Sequence, residues 1–422
     1  MTYKILHGSN LDILPTLPDN SVDSIVTDPP YELGFMGKKW DSSGIAYSVE
    51  LWTECLRVLK PGGHLLSFGG TRTFHRVAVA IEDAGFEIRD NIAWLYGSGF
   101  PKSLDVSKAI DKAANFDGEV IGTEKIDVGM QGGSMHTGRE TKIQEREIKR
   151  LSPEAEKWNG WGTALKPAHE PIIVARKPLI GTVAHNVLTH GTGALNIDGS
   201  RIGTDDNLNG GRYSDGKDET DSLVFGKGVN KRSKNDFEQP KGRWPANIIL
   251  DEHTAGLLDE QSGVSTSKAG SPRGTYKKGL FANSEFNKVG SEHNDSGGAS
   301  RFFYVAKASK RDRNEGLDDF PLRKSDTRSE TAAGLWSEME AAKQNFHPTV
   351  KPTALMEYLV KLVTPPNGTV LDPFTGSGST GKAAILNGFD FIGIEMTEDY
   401  LPIIDARLKH AEATYGSQIR ID

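Results

Sequence analysis

Two apolar runs, VDSIVT (22–27) and GTVLDPF (368–374), lie at opposite ends of the chain, and each breaks into a turn that carries a carboxylate. Around both, apolar runs bounded by turn signals alternate with helical periodicity, the pattern of a parallel α/β sheet. At the N-terminal end the spacing predicts helices over Ser48–Leu59 and Arg76–Ala84 and strands over 64–70 and 86–96, with Lys60-Pro61-Gly62-Gly63 as a turn. At the C-terminal end it predicts helices over Ala354–Thr364 and Gly378–Asn387 and a strand over 389–396. Each end is expected to supply part of one sheet.

The middle reads differently. Of 47 glycines, 27 lie between Phe116 and Ser300, so this stretch is loop-rich, with short strands expected over 170–179, 243–250 and 300–307 and an acidic, glycine-rich segment over Thr204–Ser222. At 422 residues the chain is about three times the usual domain length of roughly 150. It shows no run of 18 apolar residues and no charged-then-apolar leader, so the expectation is a cytoplasmic protein without membrane partners. The net charge of −7 argues against a surface that grips nucleic acid all round. It hides a local excess, however: Lys268–Arg313 holds ten Lys or Arg against four acids. Lys277, Lys278, Arg301, Lys307 and Lys310 make that segment either a docking site for a polyanion or a solvated basic loop. The single cysteine, Cys55, excludes an internal disulfide and any cysteine-based zinc site, and it sits on the apolar face of a helix. His185 and His190 are five apart and no H-E-x-x-H occurs, so no metal is expected.

Three constellations carry chemistry. In Thr27–Tyr31 (TDPPY) the prolines remove two backbone donors and hold Asp28 extended, leaving carbonyls free at the carboxyl end of a strand. A carboxylate, a free carbonyl and an aromatic ring in four residues suit a planar amine, whose two N–H bonds find acceptors while the ring stacks on its face. In Val370–Ala384 (VLDPFTGSGSTGKAA) a strand runs into a glycine turn and then a helix, a backbone nest open to close approach by a ligand. Gly376, Gly381 and Lys382 approach a phosphate-binding loop, but Ala383 replaces the magnesium-binding hydroxyl and Asp372 would repel a triphosphate. A ligand with a cationic head fits better, paired by Asp372 and faced by Phe374. Glu395, 17 residues beyond Gly378 at the end of the next strand, is spaced to accept hydrogen bonds from ribose hydroxyls.

DPPY followed at the far end by F-x-G-x-G (Phe374, Gly376, Gly378), with HPTVKP (347–352) just before it, resembles the β-class of S-adenosylmethionine-dependent DNA amino-methyltransferases. AHEPIIVARKP and FFYVAKASKRDRNEG resemble prophage-type members, hence a bacterial or phage-infected host. The resemblance implies a permuted Rossmann-like methyltransferase fold: a mixed, mostly parallel sheet with helices on both faces and a loop-rich target-recognition insertion. The expected organisation is 1–100 as the half bearing the target-base site, 101–165 as a flexible insertion and 166–180 as a further sheet strand, then 181–340 as the target-recognition region and 341–422 as the cofactor half. It further implies that Asp28, Pro29, Pro30 and Tyr31 hold a flipped base, and that Asp372, Phe374, Gly376, Gly378 and Glu395 bind S-adenosylmethionine. Thr349 and Lys351 would lie near the cofactor's carboxylate or the adjoining loop, and Trp94 or Tyr96 would offer a second stacking ring or serve as core. Double-stranded DNA is the expected partner, with Arg139, Lys142, Arg146, Lys149 and Arg150 as further phosphate contacts, and relatives suggest a homodimer. Adenine N6 is the expected target and cytosine N4 the alternative; a catalytically idle DNA-binding or cofactor-sensing protein is the rival of a different class.

Overall fold

The computed structural model describes residues 2–34, 39–97, 99, 103–127, 143–206, 208, 213–214, 232–233, 238–266, 295–307, 310–321 and 344–419. The chain divides into two compact units, Met1–Trp94 with Glu170–Asp422, and Leu95–His169.

In the larger unit, β1 (Tyr3–His7) and the single-turn α1 (Asn10–Ile13) lead to β2 (Val22–Thr27), followed by α2 (Val49–Val58), β3 (Leu59–Phe68), α3 (Phe74–Asp83) and β4 (Glu87–Leu95). The smaller unit holds α4 (Val106–Ala113), a hairpin of β5 (Val120–Asp127) and β6 (Ile143–Lys149), and the short α5 (Pro153–Glu156). Asp105 caps α4 by accepting from the Lys108 N–H, and the Ser152 hydroxyl donates to Asp111 Oδ1 at 2.6 Å, tying α5 to α4. The expected insertion, 101–165, corresponds in sequence to this unit, of which 103–127 and 143–165 are described.

The chain returns to the larger unit with β7 (His169–Arg176), α6 (Val183–His190), β8 (Ile248–Asp251), α7 (Glu252–Ser262), β9 (Tyr304–Ala306) and α8 (Lys310–Asn314). It ends with α9 (Thr353–Val363), β10 (Thr369–Asp372), α10 (Ser379–Leu386), β11 (Asp390–Glu395) and α11 (Leu401–Ile419). Nine strands form one sheet in the order β1-β11-β10-β2-β3-β7-β4-β8-β9. β1 through β3 in that order are mutually parallel, and β7 runs antiparallel to β3. Both chain ends thus build one mixed, mostly parallel α/β sheet.

Helices cover the central strands, so all six residues of β2 are buried. Leu51, Trp52, Cys55 and Val58 form the inward stripe of α2, which the Ser48 hydroxyl caps. Cys55 is fully buried, in agreement with its position on the apolar face. Lys60-Pro61-Gly62-Gly63 is not the expected turn: β3 starts at Leu59, paired with Val22, and runs through these residues across a register shift. Asn186 and Thr192 both donate to the Pro61 carbonyl, at 2.8 and 2.6 Å, so the loop around α6 satisfies a group that would otherwise have needed water.

The strand order fixes where a ligand can enter. From β10 the chain crosses outward to β11, and from β2 it crosses the opposite way to β3, so the gap beyond the carboxyl ends of β2 and β10 is a topological switch point. Val370 pairs with Ser24 and Leu371 with Ile25, which brings Asp372 level with the end of β2.

Candidate active site

Asp28 follows β2 and Asp372 ends the neighbouring β10, and the Thr27 hydroxyl at the end of β2 donates to Asp372 Oδ1 at 2.6 Å. Two turns separated by more than 340 positions therefore share one crevice. Asp28, His347, Thr349, Lys351, Met356, Asp372, Phe374, Thr375, Gly376, Ser377, Ser379 and Thr380 line a single cavity there.

On the β2 side, Lys351 Nζ donates to Asp28 Oδ2 at 2.7 Å and to the Tyr31 hydroxyl at 3.1 Å. Asp28 Oδ1 is buried and has no hydrogen-bond partner among the described residues. Burial raises the Asp28 carboxyl above its ordinary range, against the opposing pull of Lys351. The Tyr31 hydroxyl donates to Glu170 Oε2 at 2.9 Å, and its backbone carbonyl accepts from Thr73 at 2.7 Å. The Tyr31 ring is packed closely against Gly70, where an added Cβ would lie 3.2 Å from a ring carbon. Lys351 is buried, 4.8 Å above the Phe68 ring and 5.3 Å above that of Tyr31, and its carboxylate neighbours hold it protonated despite the cost of desolvation.

On the β10 side, Asp372 is 2 % exposed. Burial raises its carboxyl to about 6, although Thr27 and the Phe374 N–H, at 3.0 Å, both donate to it. Gly376 and Gly378 adopt φ of 56° and 78°, which only glycine takes without strain, and a Cβ on Gly376 would sit 3.0 Å from His347 Nε2. Glu395 ties the turn to the next strand by accepting from Gly376 N at 2.8 Å and Thr397 N at 2.7 Å. The His347 ring contacts the Thr349 carbonyl at 2.8 Å, and desolvation lowers its pKa to about 4, so it is neutral at physiological pH.

Lys382, the lysine of the near-match to a phosphate loop, points away from any such role. It is 2 % exposed and donates to Asp312 at 2.7 Å and Glu315 at 2.8 Å. Lys382→Ala would remove a buried ammonium that both carboxylates accept and should destabilise the fold by about 3 kcal/mol. Urea denaturation followed by circular dichroism reads that loss; an unchanged midpoint would contradict it.

Of the expected site residues, Asp28, Asp372, Phe374 and Gly376 line one cavity; Tyr31 is bonded to its Lys351 and Glu395 to its Gly376, with Gly378 two residues further along the same turn. Thr349 and Lys351 both line that cavity, and Lys351 is bonded to Asp28 and Tyr31 on the β2 side. Trp94 is buried in β4. Of the candidate DNA contacts, Lys277, Lys278, Arg139 and Lys142 lie outside the described residues, as do the side chains of Lys310 and Arg146, and Lys307 is exposed. Arg301 is turned into its own loop, donating to Asp295 and to the Gly297 and Gly298 carbonyls, each within 2.7 Å. Glu170 escaped the sequence reading. β7 opposes its neighbour β3, so its first residues, not its last, reach the crevice: Gly69 N donates to the Pro171 carbonyl at 3.0 Å. Reading every strand as parallel directs attention to the wrong end.

A family model described as DNA methylase, of the N6/N4 class, matches residues 22–406. Among similar curated proteins, the type II methyltransferase M2.LlaDCHI of Lactococcus lactis subsp. cremoris is 46 % identical over 70 residues, 17 % of this chain and 26 % of that protein. M.HpaI of Haemophilus parainfluenzae is 32 % identical over 122 residues, 28 % of this chain and 39 % of that protein. The DNA adenine methyltransferase YhdJ of Escherichia coli is 47 % identical over 55 residues, 13 % of this chain and 19 % of that protein. The matches thus span well under half the length of each of these relatives. Among solved structures, PvuII DNA methyltransferase (cytosine-N4-specific) aligns over 99 % of this chain and 92 % of its own at 13 % identity and TM-score 0.44. The M1.HpyAVI–SAM complex aligns over 96 % of this chain and 100 % of its own at 16 % identity and TM-score 0.37. Among the described residues no helix is long and apolar enough to cross a membrane.

Proposed function

The chain belongs to the N6/N4 DNA methylase family, and from that premise we propose that it transfers a methyl group from S-adenosylmethionine to the exocyclic N6 of adenine in duplex DNA. The observation that carries the reading is the shared crevice, in which the Thr27–Asp372 hydrogen bond joins an amine-accepting turn to a cation-accepting one.

The residues on the β10 side fit the cofactor. Asp372 is a buried acid whose ionised form is penalised by desolvation, and the two left-handed glycines leave the space that a Cβ would fill. Asp372 would face the positive end of the ligand, Phe374 would pack on its aromatic part, and the remaining acceptor capacity of Glu395 would serve the ribose. S-adenosylmethionine supplies a methyl group already activated by a sulfonium.

The protein's own task is therefore to present the nucleophile. The lone pair of an adenine amine is delocalised into the ring; acceptors on both of its N–H bonds free that pair for attack. Asp28 and the Pro29 carbonyl would be those acceptors, and Tyr31 would stack on the extruded base, whose swing out of the duplex costs a few kcal/mol. Alignment at about 3–3.5 Å does the rest. No covalent intermediate is needed, and none is supported: burial pushes the Cys55 thiol far above its ordinary pKa, so it supplies no thiolate. Lys307 on the surface, with Lys277, Lys278 and Lys310, would contact phosphates.

Adenine is preferred over cytosine because D-P-P-Y leans that way in the family and because one relative is named as an adenine enzyme. Incubation with duplex DNA and S-adenosylmethionine, followed by nucleoside mass spectrometry, should yield N6-methyladenine. N4-methylcytosine would move the target to cytosine, and no methylated nucleoside on any genomic DNA supplied would overturn the reading in favour of a binding protein.

A further inference from the structure

We infer that Glu170 is a positioning residue that receives the Lys351 ammonium when a target amine enters, so that Asp28 is released to bind the base; this inference rests on the proposed function. In the free protein Lys351 Nζ sits 2.7 Å from Asp28 Oδ2 and 3.2 Å from Glu170 Oε2, between two carboxylates with one positive charge to share. An incoming amine can reach the unpartnered Asp28 Oδ1, but the ammonium on Oδ2 neutralises the carboxylate and weakens it as an acceptor. Withdrawing a buried ammonium to nowhere would strand a charge at a large cost. Glu170 removes that difficulty, because a small rotation of the lysine terminus exchanges one carboxylate for the other. A lysine suits the exchange: its three N–H donors rotate about a single atom, whereas the planar fork of arginine would lock onto one partner.

The same carboxylate oxygen accepts the Tyr31 hydroxyl at 2.9 Å, so Glu170 also fixes the tilt of the ring proposed to stack on the base. The two roles separate experimentally. Glu170→Gln keeps a carbonyl acceptor for Tyr31 but removes the charge that draws Lys351 away; Glu170→Asp keeps the charge on a shorter arm.

With both variants melting as wild type does, Glu170→Gln should lower the methyl-transfer rate by roughly tenfold or more, with the loss in kcat and in KM for DNA and the Kd for S-adenosylmethionine unchanged. Glu170→Asp should recover most of that rate. Wild-type rates for Glu170→Gln, or an equal loss in both variants, would overturn the inference while leaving the proposed function standing. A wild-type protein that methylates no DNA would overturn both.

Discussion

Asp28→Ala should abolish methyl transfer, by about 10³-fold or more, while S-adenosylmethionine binds as before. The side chain would provide one of the two acceptors proposed for the amine, and no other residue described between Thr27 and Tyr31 carries an anion. The loss should therefore appear in kcat measured in single turnovers at saturating DNA and cofactor, with the Kd from calorimetry within about threefold of wild type. Removal of the carboxylate also strands Lys351 with Glu170 as its remaining anionic partner, so the fold should survive. The wild-type pH profile carries the same signature. Burial raises the Asp28 carboxyl, and protonation removes the anionic acceptor proposed for the amine, so activity should fall as pH drops through a value above the ordinary carboxylate range. A variant that retains a tenth of the wild-type rate would remove Asp28 from the chemistry.

Asp372→Asn should separate stability from binding. Its carboxyl is raised from 3.8 to about 6 in the folded protein, so over that window the native state holds a proton that the unfolded chain has released. Stability contributed by the neutral acid is fully present below pH 4 and lost as pH rises through 6, a penalty of about 3 kcal/mol at neutral pH in the absence of a cation. Asparagine does not ionise, and its Oδ1 keeps the bonds from Thr27 and Phe374 N, both of which go to one oxygen. The cofactor-free variant should consequently melt higher than wild type at pH 7.5, with the difference shrinking as pH falls from 6 to 4 and vanishing below 4. Cofactor affinity should move the opposite way: wild-type Kd should rise by up to about tenfold per pH unit below 6, and the asparagine variant should bind weakly at every pH. A less stable variant, or a wild-type Kd that is flat from pH 5 to 7.5, would show that Asp372 does not await a positive ligand.

The elements that frame the crevice were legible because their sequences are locally consistent: VDSIVT is a buried strand, and LDPFTGSGST is a strand, a left-handed turn and a helix start. The turns could be read as chemistry for the same reason, since D-P-P-Y and the two glycines leave few other conformations. What remained hidden depended on pairing. Tyr3–His7 is too short and too mixed to announce itself, and it is a strand because it docks along β11 at the edge of the sheet. Lys60-Pro61-Gly62-Gly63 reads as a turn by propensity, yet its backbone groups are taken up by β2, β7 and the α6 loop. Family likeness places Lys351 near the cofactor's carboxylate or the adjoining loop; its bonds to Asp28 and Tyr31, more than 300 positions away, belong to the tertiary pairing and have no local signal. Glu170 needed the direction of β7, a property of the sheet that its own residues do not encode.

The most direct measurement is a crystal structure with a duplex containing the methylated site's unmodified sequence and a non-reactive analogue of S-adenosylmethionine. The target adenine should lie outside the helix against Tyr31, its amine on Asp28 and about 3–3.5 Å from the position of the transferable carbon, with the analogue over Phe374 and Glu395. A base left stacked in the duplex, or an analogue bound away from the turn after β10, would contradict it.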